Sequence, residues 1–314
     1  MVYVELFVGV IAFGPAVPGD ACRGIVGGTF ELGDLGLDGK AEGHELKPQA
    51  RGEIGRLTIV KFDIGGVVVL RGLFTDLIDL IALAIEQNLA SPGPYAAENL
   101  LSNESGRFFD DYCNWQRLPA LKQVIYESEA GRVAAALMRS QSAQLFHDHV
   151  LVKEPGTTKQ TPWHQDSPYY FVEGQQTLSF WIPVEPVEGA TLRCVKGSHK
   201  WPKPVLPTRW LKEDNFYADS EKYIPVPDPD KEGMPIAEWS LQPGDAIAFD
   251  FRVLHGARGN HTNRRRRALS LRFVGDDAVY CPRPGQTSPP FPGHNMIPGQ
   301  KLRRDWFPII WQNE

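Results

Sequence analysis

The chain has 314 residues, of which 42% are hydrophobic and 23% charged, and its formal net charge at pH 7 is −5. This composition allows a large hydrophobic core in one domain. A mildly acidic chain lacks the positive field with which nucleic-acid-binding proteins attract phosphates. No apolar run reaches the length that a membrane-spanning helix needs. We therefore expect neither nucleic acid nor a membrane as a partner.

Cysteine usage indicates the compartment. The four cysteines are far apart and form no Cys-x-x-Cys pair; they are Cys22, Cys113, Cys194 and Cys281. This spacing argues against a disulfide framework and against a cysteine-type zinc site. Residues 1–13 are apolar, but they contain Glu5 and lack the basic residues that open a signal peptide. We therefore expect a cytoplasmic enzyme with reduced thiols.

The first half of the chain predicts helices. Residues 1–60 are rich in glycine, and we treat them as an extension with no assigned function. A short buried strand is expected at residues 65–70, after which Asp76 is expected to cap a helix that runs to about residue 90. Two further helices are predicted at residues 118–126 and 132–140.

The second half predicts strands. Alternating polarity and turn residues indicate strands at residues 145–153, 177–184, 191–196, 246–251 and 268–273. Helices followed by many short strands are typical of a mainly β fold with flanking helices, either a β-sandwich or a jelly roll. We expect a single domain over residues 61–314, with a Pro-rich and charged insertion at about residues 203–238.

The segment Trp163-His164-Gln165-Asp166 places an imidazole and a carboxylate two residues apart. On an extended segment these two side chains point in the same direction and can face one metal ion. His255, which follows a predicted strand, offers a third ligand. Two histidines and one carboxylate with other positions open are the ligand set of non-haem Fe(II) oxygenases. Alone, however, a His-x-Asp pair is also typical of a hydrogen-bonded loop.

A run of four arginines at residues 264–267 leads into the last of these strands. Charged runs usually lie on a solvated face, but strand alternation divides this one. Arg266 shares a face with the small residues Ala268 and Ser270, whereas its neighbours share the other face with large apolar residues. A face of small residues suits a ligand cavity, where an arginine can donate two parallel hydrogen bonds to a carboxylate. Arg266 is therefore a candidate carboxylate-binding residue.

Together these motifs resemble the phytanoyl-CoA dioxygenase family of Fe(II)- and 2-oxoglutarate-dependent oxygenases. The resemblance runs from about residue 65 to residue 273. It rests on the order and spacing of residues 66–74, residues 149–166, Gly197-Ser198-His199-Lys200, and His255-Gly256 followed by Arg266. It implies a double-stranded β-helix, the jelly roll of cupin-like proteins, packed against N-terminal helices.

Carried over position by position, the resemblance implies that His164, Asp166 and His255 bind Fe(II). The family's arginine stands eleven residues after the distal histidine, which selects Arg266 for the far carboxylate of the cosubstrate 2-oxoglutarate. This choice agrees with the strand-face argument.

Three further positions match residues near the cosubstrate in this family, namely Trp181, His147 and His149. Histidines on strands are also typical of packed or solvated positions. The chain departs from the family at Lys196, where proline is common, and at Ala257, where some members have a serine that contacts the cosubstrate.

Candidate substrate contacts lie around the His-x-Asp pair. Trp163 precedes it, and Tyr169 and Tyr170 follow it. Aromatic residues beside the metal indicate an apolar or ring-containing small-molecule substrate, although the same residues are equally typical of a core. Arg193 is a candidate for contact with an anionic substrate.

The expected function is a dioxygenase that uses Fe(II), 2-oxoglutarate and O2 to hydroxylate a small organic molecule, with release of succinate and CO2. The presence of Asp166 favours hydroxylation, because related halogenases lack this carboxylate. One alternative is a zinc-binding cupin-like hydrolase, since histidine and carboxylate also suit zinc. Another is a non-catalytic binding protein of the same fold. Arg266 favours the oxygenase, because a zinc hydrolase needs no buried clamp for a carboxylate.

Overall fold

The computed structural model describes residues 54–100, 104–189, 191–211, 214–217 and 221–313. The predicted glycine-rich extension lies outside these stretches, except for residues 54–60. None of the helices in these stretches combines the length and the apolar character that crossing a bilayer requires.

Four α-helices lie in the described residues: α1 (Arg56–Gly65), α2 (Ile78–Ala90), α3 (Pro119–Glu127) and α4 (Ala130–Met138). The three predicted helices are confirmed as α2, α3 and α4, whereas the sequence pattern does not predict α1. The predicted cap of α2 is wrong. Asp76 lies in a 3-10 turn, Thr75–Leu77, that precedes α2, and its side chain makes no capping hydrogen bond.

The strands comprise the six predicted ones and several short ones. In chain order they are β1 (Val67–Leu70), β2 (Ala97–Glu98), β3 (Phe108–Tyr112), β4 (Ser142–Lys153), β5 (Thr161–His164), β6 (Val172–Glu173), β7 (Thr177–Pro183), β8 (Leu192–Val195), β9 (Ile236–Ala237), β10 (Ala246–Phe249), β11 (His255–Ala257), β12 (Arg266–Val274), β13 (Val279–Tyr280) and β14 (Ile309–Gln312).

Two antiparallel sheets form the jelly roll. The larger sheet has the order β1-β10-β7-β12-β4-β3-β2, with β14 paired to β4. The smaller sheet has the order β5-β11-β8-β9, and β13 and β6 form a separate ribbon. The expected fold, mainly β with flanking helices, is confirmed.

The central strands of the larger sheet separate two environments. In β7, Leu178, Phe180 and Ile182 pack in one core with the helices. Trp181, between them in sequence, packs in a second core with residues of the smaller sheet such as Cys194. Successive residues of a strand point to opposite faces, so the helices cover the outer face and the smaller sheet covers the inner face. The inner face is therefore enclosed and available for a buried site.

Two strands that the sequence pattern does not predict depend on distant partners. β3 contains two aspartates, yet it is largely buried because it pairs with β4 and because Asp110 and Asp111 accept hydrogen bonds from Asn99 and Asn88. β14 pairs with the first residues of β4. Neither strand has the alternation of polarity from which a strand is predicted.

The segment predicted as an insertion, residues 203–238, follows a 3-10 turn, Ser198–Lys200. Its last residues include β9, which pairs with β8. Its described residues are held to the rest of the fold by polar contacts. The Tyr169 hydroxyl donates to the carbonyl of Thr208 at 2.6 Å and accepts from the Thr208 amide at 2.9 Å. This contact fixes the segment beside the His-x-Asp motif.

Phe180 is fully buried, and its ring centroid lies 5.9 Å from those of Phe74 and Phe273. We expect Phe180→Ala to lower the free energy of unfolding by about 3–5 kcal/mol, because a cavity replaces a large side chain. Urea unfolding followed by circular dichroism measures this change. The control Leu83→Ala, at a position of α2 that is 50% exposed, should cost less than about 0.5 kcal/mol. Equal losses in the two variants would contradict this account of the core.

Candidate metal centre

The smaller sheet brings three potential metal ligands together. His164 ends β5 and His255 begins β11, and the two lie opposite each other in the antiparallel register. Oδ1 of Asp166 lies 3.9 Å from Nε2 of each histidine. One ligand atom of each residue lies within 4.8 Å of the other two, and all three side chains are buried. This arrangement can hold one metal ion.

Asp166 reaches the site by an unexpected backbone path. β5 ends at His164, and Asp166 has φ −70° and ψ −41° immediately before a 3-10 turn, Ser167–Tyr169. The expectation of an extended segment through both residues is therefore wrong, although their side chains still face each other. The turn is anchored by the amide of Ser167, which donates to the carbonyl of Phe251 at 3.0 Å.

Hydrogen bonds to backbone carbonyls orient both imidazoles. Nδ1 of His164 lies 2.7 Å from the carbonyl oxygen of Pro162, and Nδ1 of His255 lies 2.9 Å from that of Val253. A carbonyl only accepts, so each Nδ1 carries the proton and each Nε2 keeps its lone pair. Both lone pairs are therefore available at the atoms nearest Asp166, which is the arrangement that metal-bound histidines require.

The two oxygens of Asp166 have different surroundings. Oδ1 faces the two histidines, whereas Oδ2 accepts a hydrogen bond from the Ser179 hydroxyl at 3.0 Å and lies 3.4 Å from Nε of Arg272. Ser179 is on β7 and Arg272 on β12, so the larger sheet holds the carboxylate from behind. With Oδ2 engaged, only Oδ1 is presented to a metal ion.

Burial and neighbouring charges set the protonation of the cluster. Burial, together with the positive charge that His255 would carry, lowers the pKa of His164 to about 3. Burial also lowers the pKa of His255. Burial opposes ionisation of Asp166, but Arg272 and the two histidines hold its pKa below the ordinary value. At neutral pH the cluster therefore has two neutral imidazoles and one carboxylate, the state that binds metals.

Arg266 lies on the enclosed inner face of the larger sheet. Its Cα pairs with that of Lys153 on β4, and its guanidinium carbon lies 6.0 Å from the ring centroid of Trp181. Burial lowers the pKa of Arg266 to about 10, so it remains a cation at neutral pH. Lys153 is fully buried beside it, and its Nζ donates to the carbonyl of Lys159 at 2.8 Å. Burial lowers the pKa of Lys153 to about 5, so Arg266 is the cation of this pair that a carboxylate would complement.

The two arginines that flank Arg266 point outward, as strand alternation predicts. Arg265 and Arg267 both form ion pairs with Glu86 of α2 on the outer side of the sheet. Arg264 is exposed. Of this run, only Arg266 enters the inner face.

A cavity of about 400 Å³ adjoins the metal centre. Its wall includes His164 and Asp166, and the predicted Tyr169 and Tyr170 also line it. Trp210, from the segment between β8 and β9, covers part of it with its ring centroid 5.1 Å from that of His164. A volume of this size, with aromatic walls and a few polar groups, suits a small molecule.

His147 and His149 also line this cavity, whereas Arg266 and Trp181 are not among the described residues that do so. Nε2 of His149 lies 2.7 Å from Oδ2 of Asp110 on β3. The structure therefore groups the two histidines with the predicted substrate residues rather than with the predicted cosubstrate residues.

The other two predicted substrate contacts, Trp163 and Arg193, lie against each other, and their role stays a prediction. Neither is among the described residues that line the cavity. The guanidinium of Arg193 lies 5.0 Å from the ring centroid of Trp163, and it forms ion pairs with Asp230 and Glu238. The charge of Arg193 is therefore already matched by two carboxylates.

Four polar or aromatic residues of the site were not predicted from the sequence. Arg272 and Ser179 could have been found, because alternation places Arg272 on the face of Arg266 and Ser179 on the face of Trp181. Asp110 and Trp210 carry no comparable signal, since they come from an unpredicted strand and from the insertion.

Comparison with known proteins agrees with this geometry. A family model described as phytanoyl-CoA dioxygenase matches residues 66–268. A curated relative named dioxygenase lolE1, from Epichloe uncinata, is 27% identical over 150 residues, which are 45% of this chain and 50% of that protein. The match therefore spans half of that relative's length.

The fold is similar to that of two solved structures. SnoK, a non-heme alpha ketoglutarate dependent carbocyclase from nogalamycin biosynthesis, has a TM-score of 0.66 at 21% identity, over 82% of this chain and 97% of that chain. The epimerase SnoN, in complex with Fe3+, alpha ketoglutarate and nogalamycin RO, has a TM-score of 0.66 at 19% identity, over 81% and 98% of the two chains. At these identities the likeness establishes a shared fold.

Because His164 and His255 are buried, we expect the affinity of the site for Co(II) to depend only weakly on pH. At about pH 5.5, two exposed histidine ligands of pKa about 6.5 would each be largely protonated and would together weaken binding about 100-fold relative to about pH 7.5. Here the pKa of His164 is lowered to about 3 and that of His255 is also lowered, so Kd should change far less than about 100-fold. Isothermal titration calorimetry measures both values, with Asp166→Ala as the control for binding elsewhere. A change near 100-fold would contradict the burial of these ligands.

Proposed function

Because the chain belongs to the phytanoyl-CoA dioxygenase family, we propose that it is an Fe(II)- and 2-oxoglutarate-dependent oxygenase of a small organic molecule. The observation that carries this proposal is the buried cluster of His164, Asp166 and His255, whose ligand atoms lie within 4.8 Å of one another. The complex of SnoN with Fe3+ and alpha ketoglutarate supports the same pairing of metal and cosubstrate on this fold.

The donor set fits Fe(II). Two imidazole nitrogens and one carboxylate oxygen are the ligands of non-haem iron oxygenases, which leave other coordination positions open. His164 and His255 would bind through Nε2 and Asp166 through Oδ1, since their other polar atoms are engaged. When bound, Fe(II) and 2-oxoglutarate supply the oxidation of a substrate C–H bond by O2, with release of succinate and CO2.

Arg266 would bind the far carboxylate of 2-oxoglutarate. Its burial removes competing water and strengthens a pair of hydrogen bonds to a carboxylate. Trp181 would form the apolar wall beside the cosubstrate, since it packs on the same inner face. A buried arginine in this position favours the oxygenase over a zinc hydrolase, which has no carboxylate to clamp.

The cavity would hold the substrate. Tyr169 and Tyr170 are buried in its wall and fixed by packing, so they would orient a ring or an apolar chain beside Asp166. The carboxylate of Asp166 occupies the ligand position that halogenases leave to chloride, which favours hydroxylation as the outcome.

The central test is the addition of Fe(II) and 2-oxoglutarate to the protein without oxygen. We expect a visible charge-transfer band from the chelate, because three protein ligands leave room for a bidentate cosubstrate. Asp166→Ala should give no band, since it lacks the charged ligand. Metal binding without a band in the unaltered protein would overturn the proposal and would favour the zinc alternative.

A second prediction separates cosubstrate binding from metal binding. Arg266→Leu should raise the Kd for 2-oxoglutarate about 100-fold or more, because it removes a charge-assisted pair of hydrogen bonds, whereas the Kd for Co(II) should change little. The matched control is Arg264→Leu, at an exposed position of the same run, which should leave both values unchanged. Titration of the chelate band gives the first value and calorimetry the second. If Arg264→Leu had the larger effect, the assignment of Arg266 would be wrong.

A further inference from the structure

The inner face of β12 carries a second buried arginine, Arg272, six residues beyond Arg266. At about 3.3 Å per residue, their Cα atoms are about 20 Å apart along the strand. A five-carbon dicarboxylate such as 2-oxoglutarate spans roughly 6 Å, so a molecule held by Arg266 does not also need Arg272. We therefore expect the two arginines to bind different ligands.

Arg272 lines the cavity and retains hydrogen-bonding capacity. It is 4% exposed, and its Nε lies 3.4 Å from Oδ2 of Asp166. Nε faces this carboxylate, whereas Nη1 has no hydrogen-bond partner among the described residues. Buried donors without partners are costly, so a ligand that accepts a hydrogen bond from Nη1 would be favoured.

His147 lies directly opposite Arg272 in the β4–β12 pair. Its Nδ1 lies 3.0 Å from the carbonyl oxygen of Asp148, so Nδ1 carries the proton and Nε2 is an acceptor. Nε2 is buried in the cavity wall and has no partner among the described residues. Burial and the neighbouring Arg272 lower the pKa of His147, which keeps this nitrogen an acceptor at neutral pH.

We propose that Arg272 and His147 form a subsite for a hydroxyl group of the substrate. The hydroxyl oxygen would accept a hydrogen bond from Nη1 of Arg272, and the hydroxyl proton would be donated to Nε2 of His147. A carboxylate would place negative charge against the His147 lone pair, and an ammonium group would be repelled by Arg272. The subsite therefore selects an alcohol or a phenol.

The subsite lies beside the metal centre, because Arg272 contacts Asp166. Tyr170, whose ring centroid lies 5.2 Å from that of His147 and 5.9 Å from the Arg272 guanidinium carbon, provides an aromatic wall. A substrate anchored by its hydroxyl would thus present nearby C–H bonds to the metal. That last step rests on the proposed oxygenase function, whereas the selection of a hydroxyl does not.

The test compares three ring compounds of similar size: cyclohexanol, methylcyclohexane and cyclohexanecarboxylate. Each is titrated calorimetrically into the full chain loaded with Fe(II) and 2-oxoglutarate without oxygen, and into the metal-free chain. We expect cyclohexanol to bind about tenfold more tightly than either analogue, because only its hydroxyl satisfies both a donor and an acceptor. Equal affinities, undetectable binding of all three, or tighter binding of the carboxylate would overturn the subsite.

Variants of His147 test whether this residue causes the preference for cyclohexanol. His147→Leu should abolish the preference for cyclohexanol, while His147→Gln should retain part of it because the amide oxygen can accept. His261→Leu, at an exposed position, is the matched control and should keep the full preference. A preference that survives His147→Leu would overturn the proposal. The chelate band is recorded on the same samples. If the unaltered chain shows no band but still prefers cyclohexanol, the oxygenase function is rejected and the subsite is retained.

Discussion

The burial of the Asp166 carboxylate is the constraint on which the rest of the site depends. A buried charge is costly unless neighbouring groups compensate it. Here Ser179 and Arg272 engage one oxygen, and the other faces the two histidines. This division fixes the orientation of the carboxylate and leaves a single oxygen for a metal ion. The larger sheet therefore orients a ligand that belongs to the opposite side of the jelly roll.

The same strands perform a structural and a chemical role on their two faces. The outer face of β7 and β12 is apolar except for Arg267, and it packs against the helices. The inner face carries Arg266, Arg272, Ser179 and Trp181. Rigid packing on the outer face limits the movement of the inner side chains, which suits a site that must hold several ligands in a fixed geometry. In each of these strands, the residues that stabilise the fold and the residues of the site thus alternate along the chain.

Much of the fold and of the site could be predicted, because both depend on local periodicity. Alternation distinguished Arg266 from Arg265 and Arg267, and the outward ion pairs of these two with Glu86 agree with it. The path through Asp166 could not be predicted, since the turn that follows His164 is fixed by a hydrogen bond to the distant Phe251. β3 could not be predicted for a related reason, because the residues that donate hydrogen bonds to its buried aspartates lie on other elements.

The sequence by itself determined the chemical types and the order of the candidate ligands, as well as the face on which Arg266 lies. These follow from residue identity and from the two-residue period of a strand. Only the tertiary structure decided that Arg193 pairs with Asp230 and Glu238, that Trp210 covers His164, and that His147 opposes Arg272. Such contacts join residues far apart in the chain, and their geometry is set by strand register and loop packing, which no local pattern encodes.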